Sequence, residues 1–140
     1  MEFNLDNQTK QSIDLDFLKQ IASEVTTKNI ELVVCTNKYI QLLNKEFRKI
    51  DKPTDVLSFP LEEMEHFPLG SIVISIDFVK EKAKEFNHKE DEELALLFIH
   101  GLLHLAGYDH EIDDGEHRQK EEELIKKFNL PDSLIIRTKG

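Results

Sequence analysis

Gly70-Ser71-Ile72-Val73-Ile74-Ser75-Ile76-Asp77 sets a short apolar run directly before a helix cap. The run from Ile72 to Ile76 is rich in isoleucine, which predicts a strand that starts at Gly70. Asp77 is expected to cap a helix through Phe86, since its carboxylate suits the bare N–H groups of a first turn. The same order precedes it. Ile30 to Cys35 is a β-branched run short enough for a buried strand, and Asn37 is placed to cap a helix carrying Ile40, Leu43 and Phe47. Phe3 and Leu5 alternate with polar residues, which suits a first strand. Leu15, Leu18, Ile21, Ala22 and Val25 fall on one helical face, with Ser12 or Asp14 as its cap. Between the Asp51-Lys52-Pro53-Thr54 turn and Pro60, the segment Val56-Leu57-Ser58-Phe59 reads as a short strand near a sheet edge.

The last third reads as helix alone. Asp91-Glu92-Glu93 put negative charge at the start of an apolar helix from Leu94 to about Ala106, which favours its dipole. Gly107 is suited to the left-handed conformation that stops it. A final helix spans about Asp114 to Phe128, with Leu124, Ile125 and Phe128 inward and Pro131 closing it. Strands interleaved with helices, then helices alone, predict an α/β (α+β) layer structure in a single domain over residues 1–140. Its small mixed sheet should have about four strands, packed with about five helices.

At 140 residues with 39% hydrophobic content, the chain suffices for one core, and a domain of this size buries roughly two-thirds of its unfolded surface. No apolar run approaches the roughly 18 residues of a membrane span. The segment from Met1 to Asp6 has neither a basic stretch nor an apolar core, so no signal peptide is expected. Cys35 is the sole cysteine, which excludes an internal disulfide and a cysteine-based zinc site. A cytoplasmic protein without a membrane partner is the expectation. The net charge of −10 opposes a general electrostatic grip on nucleic acid. The charge is uneven, however: Lys38, Lys45, Arg48, Lys49 and Lys52 face only Glu46 and Asp51 between positions 38 and 52. The acidic run from Glu111 to Glu123 reads as a solvated helix face.

His100-Gly101-Leu102-Leu103-His104-Leu105-Ala106-Gly107-Tyr108-Asp109-His110 carries the chemistry. Residues four apart on a helix project side by side, so His100 and His104 can share one ion. Gly107 lets the backbone turn and His110 return to the same point. Three neutral ligands with a fourth position open is the pattern of a catalytic zinc. A lone helical histidine is more commonly a hydrogen-bonded core residue, but burying two at this spacing without a shared partner is costly. His66, His88 and His117 lack the spacing and are expected at the surface. In zinc peptidases of the pattern H-E-x-x-H-x-x-G-x-x-H, the glutamate after the first histidine is the general base. Here Gly101 stands in its place, so a peptidase would lack its base.

The stretch from His100 to His110 closely resembles the motif of the YbeY family of bacterial rRNA-maturation endoribonucleases. The likeness extends to Leu43-Asn44-Lys45-Glu46-Phe47-Arg48, to the segment from Asp51 to Pro60, and to Leu69-Gly70-Ser71-Ile72-Val73-Ile74-Ser75. It implies a mixed sheet with helices around it, one zinc held by His100, His104 and His110, and an essential Arg48. Without the resemblance, Arg48 reads as a surface ion pair with Glu46 or Asp51. With it, the arginine fork would hold phosphate oxygens, and the basic stretch would follow an RNA backbone. Two positions depart from the family pattern. Ser71 stands where aspartate is usual, and His117 stands about where methionine is favoured. Asp55 and Asp109 are candidate partners for the outer nitrogens of metal-bound histidines, with turn or helix caps as the equal alternative.

The resemblance implies a zinc-dependent endoribonuclease specific for single strands, acting in 16S rRNA 3′-end maturation and ribosome quality control. Its partners would be rRNA and the ribosome or ribosomal proteins. Two alternatives stay open: a peptidase-like zinc hydrolase, and a ribosome-assembly binding factor whose zinc is structural.

Overall fold

The side chains of Ile30–Cys35 alternate between two separate cores, and the layers of the fold follow from that. The computed structural model describes residues 2–60, 70–108 and 114–131. Within them run β1 (Phe3–Asn7), α1 (Leu15–Ser23), β2 (Ile30–Cys35), α2 (Asn37–Arg48), β3 (Val56–Pro60) and β4 (Gly70–Ser75). They continue with α3 (Ile76–Glu85), α4 (Glu90–Leu105) and α5 (Glu116–Lys127). The sheet order is β1-β2-β4-β3, with β1, β2 and β4 parallel and β3 antiparallel on β4. This is the small mixed α+β architecture expected, and β3 with its terminal Pro60 lies at the edge.

Ile30, Leu32 and Val34 of β2 join Ile72 and Ile74 of β4 in the larger core, beneath α1, α4 and α5. Val33, Cys35 and Val73 point the other way, to Ile40 of α2 and Leu57 of β3. Helix α4 is central, packing on β3, β4, α1, α3 and α5. Its start is held by Glu92, whose carboxylate accepts from the Lys89 N–H at 2.9 Å. Its end is a Schellman turn: Tyr108 N–H donates to the Leu103 carbonyl at 2.9 Å and Gly107 N–H to that of His104 at 3.1 Å. Gly107 has the positive φ of 102° that this turn requires. Among the described residues, no helix is long and apolar enough to cross a membrane.

Three local expectations need correction. Asp77 does not cap α3, which begins one residue earlier at Ile76 after Ser75. Its carboxylate instead accepts the backbone N–H of Asn37, 40 positions away, at 2.7 Å. Asn37 is the first residue of α2 rather than its cap, and its side-chain oxygen accepts from Ser75 Oγ at 2.6 Å. Phe47 is 59% exposed and sits edge-on to Phe59, with ring centroids 5.2 Å apart. Asp14 does cap α1, accepting from the Phe17 N–H.

Candidate metal centre

Helix α4 is so deeply enclosed that between Glu93 and Leu105 only two positions escape full burial. They are His100 and His104. Every other side of this segment meets the sheet or a neighbouring helix, so among the described residues the pair forms the least covered stripe of this part of α4. Their Nε2 atoms lie 3.2 Å apart. Two nitrogens bound tetrahedrally to one zinc stand about 3.3 Å apart, from the usual zinc–nitrogen distance. The pair therefore fits zinc by separation and by donor type. His110 and Asp109 lie outside the described residues, as does His66.

Behind His100 stands Glu121 of α5, buried, with Oε2 3.3 Å from His100 Nδ1. A carboxylate on Nδ1 fixes the ring and directs Nε2 toward a metal, the usual outer partnership of a metal-binding histidine. The same oxygen lies 3.4 Å from Nε2 of His117. His117 is not at the surface, as its spacing had suggested, but fully buried. Its ring stacks on His100 with centroids 4.9 Å apart at 26°, and meets His104 edge-on at 4.8 Å. One ligand atom from each of His100, His104 and His117 lies within 4.8 Å of the others. The signal for His117 and Glu121 was in the sequence. They continue the inward stripe of Leu124, Ile125 and Phe128 back by two turns, at helical spacing.

Gly101 is fixed by packing. A Cβ there would come within 3.0 Å of Ile72 Cγ2 and Ser58 Oγ, and 3.2 Å of Val56 Cγ2. Ser58 Oγ donates to the Gly101 carbonyl at 3.1 Å, tying α4 to the edge strand. The position of the peptidase glutamate thus faces the sheet, where a side chain would crowd Ile72, Ser58 and Val56.

Asp55 makes a turn cap, accepting from the Val56 N–H at 2.8 Å and from Thr54 Oγ1. His88 is half-buried, 3.4 Å from Glu93. Ser71 donates to Glu31 at 3.0 Å, its partner in the β2–β4 register. An aspartate at 71 would instead oppose that carboxylate. Arg48 is exposed at the end of α2, on the sheet face opposite α4. Among the described residues it makes no ion pair; Asp51 is approached by Lys45 at 3.9 Å. Lys38, Lys45, Lys49 and Lys52 are exposed around it.

Residues 2–129 match the family described as Endoribonuclease YbeY. The chain is 65% identical over 136 residues to the Endoribonuclease YbeY of Aliarcobacter butzleri, covering 96% of this chain and 97% of that one. It is 59% identical over 139 residues to the Endoribonuclease YbeY of a Sulfurovum species, covering 95% of each. A Thermotoga maritima protein with a solution structure is 35% identical, with a TM-score of 0.65 over 90% of this chain and 88% of that one.

Proposed function

This chain belongs to the YbeY family of endoribonucleases, and from that premise we propose that it cuts single-stranded RNA at a zinc ion held by His100, His104 and His110. It is an endoribonuclease of rRNA processing; 16S 3′-end maturation, work on the ribosome and a cytoplasmic setting are part of the same proposal. The observation that carries it is the pair of imidazoles on one stripe of α4, with Nε2 atoms at zinc spacing.

A bound zinc supplies a Lewis acid for a phosphoryl oxygen and lowers the pKa of water to about 7. The chain's own residues supply the rest. Glu121 orients His100 from behind. The fully buried side chains of Ile99, Leu102 and Leu103 fix the helix that carries both imidazoles. Arg48 offers a two-pronged donor for phosphate oxygens, which a lysine cannot match. Exposed Lys45, Lys49 and Lys52 give the backbone of a single strand a positive track on a protein of net charge −10. Since Arg48 and the histidines flank opposite faces of the sheet, the RNA is read as passing over the β3 edge between them.

The test is cleavage of labelled single-stranded RNA, double-stranded RNA and casein by zinc-loaded and chelated protein. Cleavage of single-stranded RNA that needs the metal, with casein intact, is the expected result. Chelator-sensitive proteolysis would overturn the assignment, and RNA binding without metal-dependent cleavage would favour an assembly factor.

A further inference from the structure

We propose that the ring of Phe47, braced by Phe59, is a stacking platform for one unpaired base of the RNA strand, placed between Arg48 and the imidazoles. The inference rests on the endoribonuclease reading above and adds to it a contact for a base. Three observations carry it. First, Phe47 is 59% exposed, and a phenyl ring left in water adds nothing to folding by burial. Phe59 is the ring that packs against the smaller core of Val33, Leu57 and Val73, and Phe47 stands outside it. The two rings meet edge-on, with centroids 5.2 Å apart at 64°, so at least one face of Phe47 is left uncovered by Phe59. A nucleobase offers that face a flat partner, and every base has such a face.

Second, the charge around the ring suits a phosphate backbone. Arg48 is the next residue, and with Lys45, Lys49 and Lys52 it sets four cations against Glu46 and Asp51 between positions 45 and 52. Asp51 is itself engaged by Gln41 Nε2 at 3.0 Å. An acidic protein segment would meet the same cations, but an exposed aromatic ring beside an arginine matches a single strand better, since that strand presents a flat base and a phosphate at every step. Third, the platform lies on the way to the metal-bearing helix. Phe59 adjoins Ser58 on β3, and Ser58 Oγ donates to the carbonyl of Gly101, the residue after His100. A base on Phe47 would hold the strand on the α2 side of that edge while neighbouring nucleotides cross it. In a duplex each base is already stacked and paired, and none reaches the ring without unpairing. The platform thus favours single strands.

The chain has no tryptophan, so Phe47→Trp introduces a sole tryptophan at the platform and keeps a ring to stack on. Fluorescence of this zinc-loaded variant is read on mixing with a single-stranded RNA of adenines, with a strand of the same length and charge that lacks its bases, and with an RNA duplex. Steady-state cleavage of the adenine strand is measured in parallel for wild type, Phe47→Trp and Phe47→Leu, with circular dichroism as the check on folding. The expected result is quenching by the adenine strand alone, a wild-type KM in Phe47→Trp, and a KM raised about tenfold in Phe47→Leu with kcat nearly unchanged. About tenfold lies within what one base–aromatic stack supplies, and a contact kept from the bound state to the transition state moves KM and not kcat. Equal quenching by the base-free strand would overturn stacking and make Phe47 a neighbour of the backbone only. Unmoved fluorescence with a wild-type KM in Phe47→Leu would overturn the platform, leave the nuclease standing and assign the exposed ring to a protein partner. Absence of cleavage in wild type would overturn the endoribonuclease reading, while quenching by the adenine strand alone would still support the platform.

Discussion

Ser58 on the edge strand donates its hydroxyl to the carbonyl of Gly101 at 3.1 Å, in the same turn of α4 that carries His100. That contact brings helix and strand within the reach of a hydroxyl, where a Cβ on residue 101 would crowd Ser58 Oγ and Ile72 Cγ2 at 3.0 Å. At this turn the metal-bearing helix therefore meets the sheet through its backbone, beside the buried side chains that pack it there.

Gly101→Ala tests this seating. Alanine favours a helix interior over glycine by about 1 kcal/mol, but overpacking a tight site costs typically 1–3 kcal/mol. With Ile72 and Ser58 both at 3.0 Å from the new methyl, packing should win, for a net loss of about 1 kcal/mol. Urea denaturation checks it. A variant more stable than wild type would show that the neighbours yield freely.

Glu121→Gln should weaken zinc binding by about 10–100-fold while leaving the metal-free protein as stable as wild type or more so. The buried carboxylate costs desolvation energy that an amide of the same shape does not. Chelator competition and thermal unfolding, each with and without zinc, separate the two effects. Equal loss of stability in both forms would mean that Glu121 serves the fold alone.

Arg48→Ala should leave zinc content and thermal stability nearly unchanged, since its exposed charge contributes little to folding. Held across the β3 edge from the imidazoles, Arg48 would position the strand, and single-turnover cleavage should fall by about 100-fold, the scale for a lost positioning contact. RNA affinity should fall much less. Arg48→Lys should rescue in part. Wild-type cleavage with lost binding would make Arg48 a docking residue.

Cys35 should be inert in the native protein. Burial, with the carboxylates of Asp77 and Asp6 adding to it, pushes its thiol up to about 12 from 9.0. The folded chain keeps a proton that the unfolded chain releases above pH 9, so stability is whole below that pH and is lost progressively between 9 and about 12. By pH 10 the loss is about 1 kcal/mol. A urea midpoint that falls from pH 8 to pH 10 more in wild type than in Cys35→Ala is the expected outcome. Rapid labelling of native protein at pH 8 would contradict it.

The elements that local pattern defines were readable in advance. Ile30–Cys35 forms a strand with those bounds, and the Gly107 stop works through a Schellman turn. Periodicity and turn chemistry are properties of neighbours in the chain, so they survive folding. What was not readable depends on distant partners. The cap of α2 comes from Asp77 on α3, and no local rule points there. Phe47 lies outside the core because its ring meets Phe59 on the edge strand. In the site, His100 and His104 were legible through their spacing on one helix. His117 was legible only by carrying the inward stripe of Leu124, Ile125 and Phe128 back through Glu121, a signal masked by charged neighbours that read as a solvated face. Its burial is set by the packing of α5 on α4, which also brings Glu121 to His100.

The zinc content of purified wild type beside that of His104→Ala tests the central claim most directly. The Nε2 of His104 lies 3.2 Å from that of His100, so removing it takes away one of the two nitrogens at zinc spacing. Its side chain is only partly buried, and truncation should leave the fold intact by circular dichroism. Wild type should hold one zinc per chain and the variant close to none. Equal zinc in both folded proteins would contradict the account.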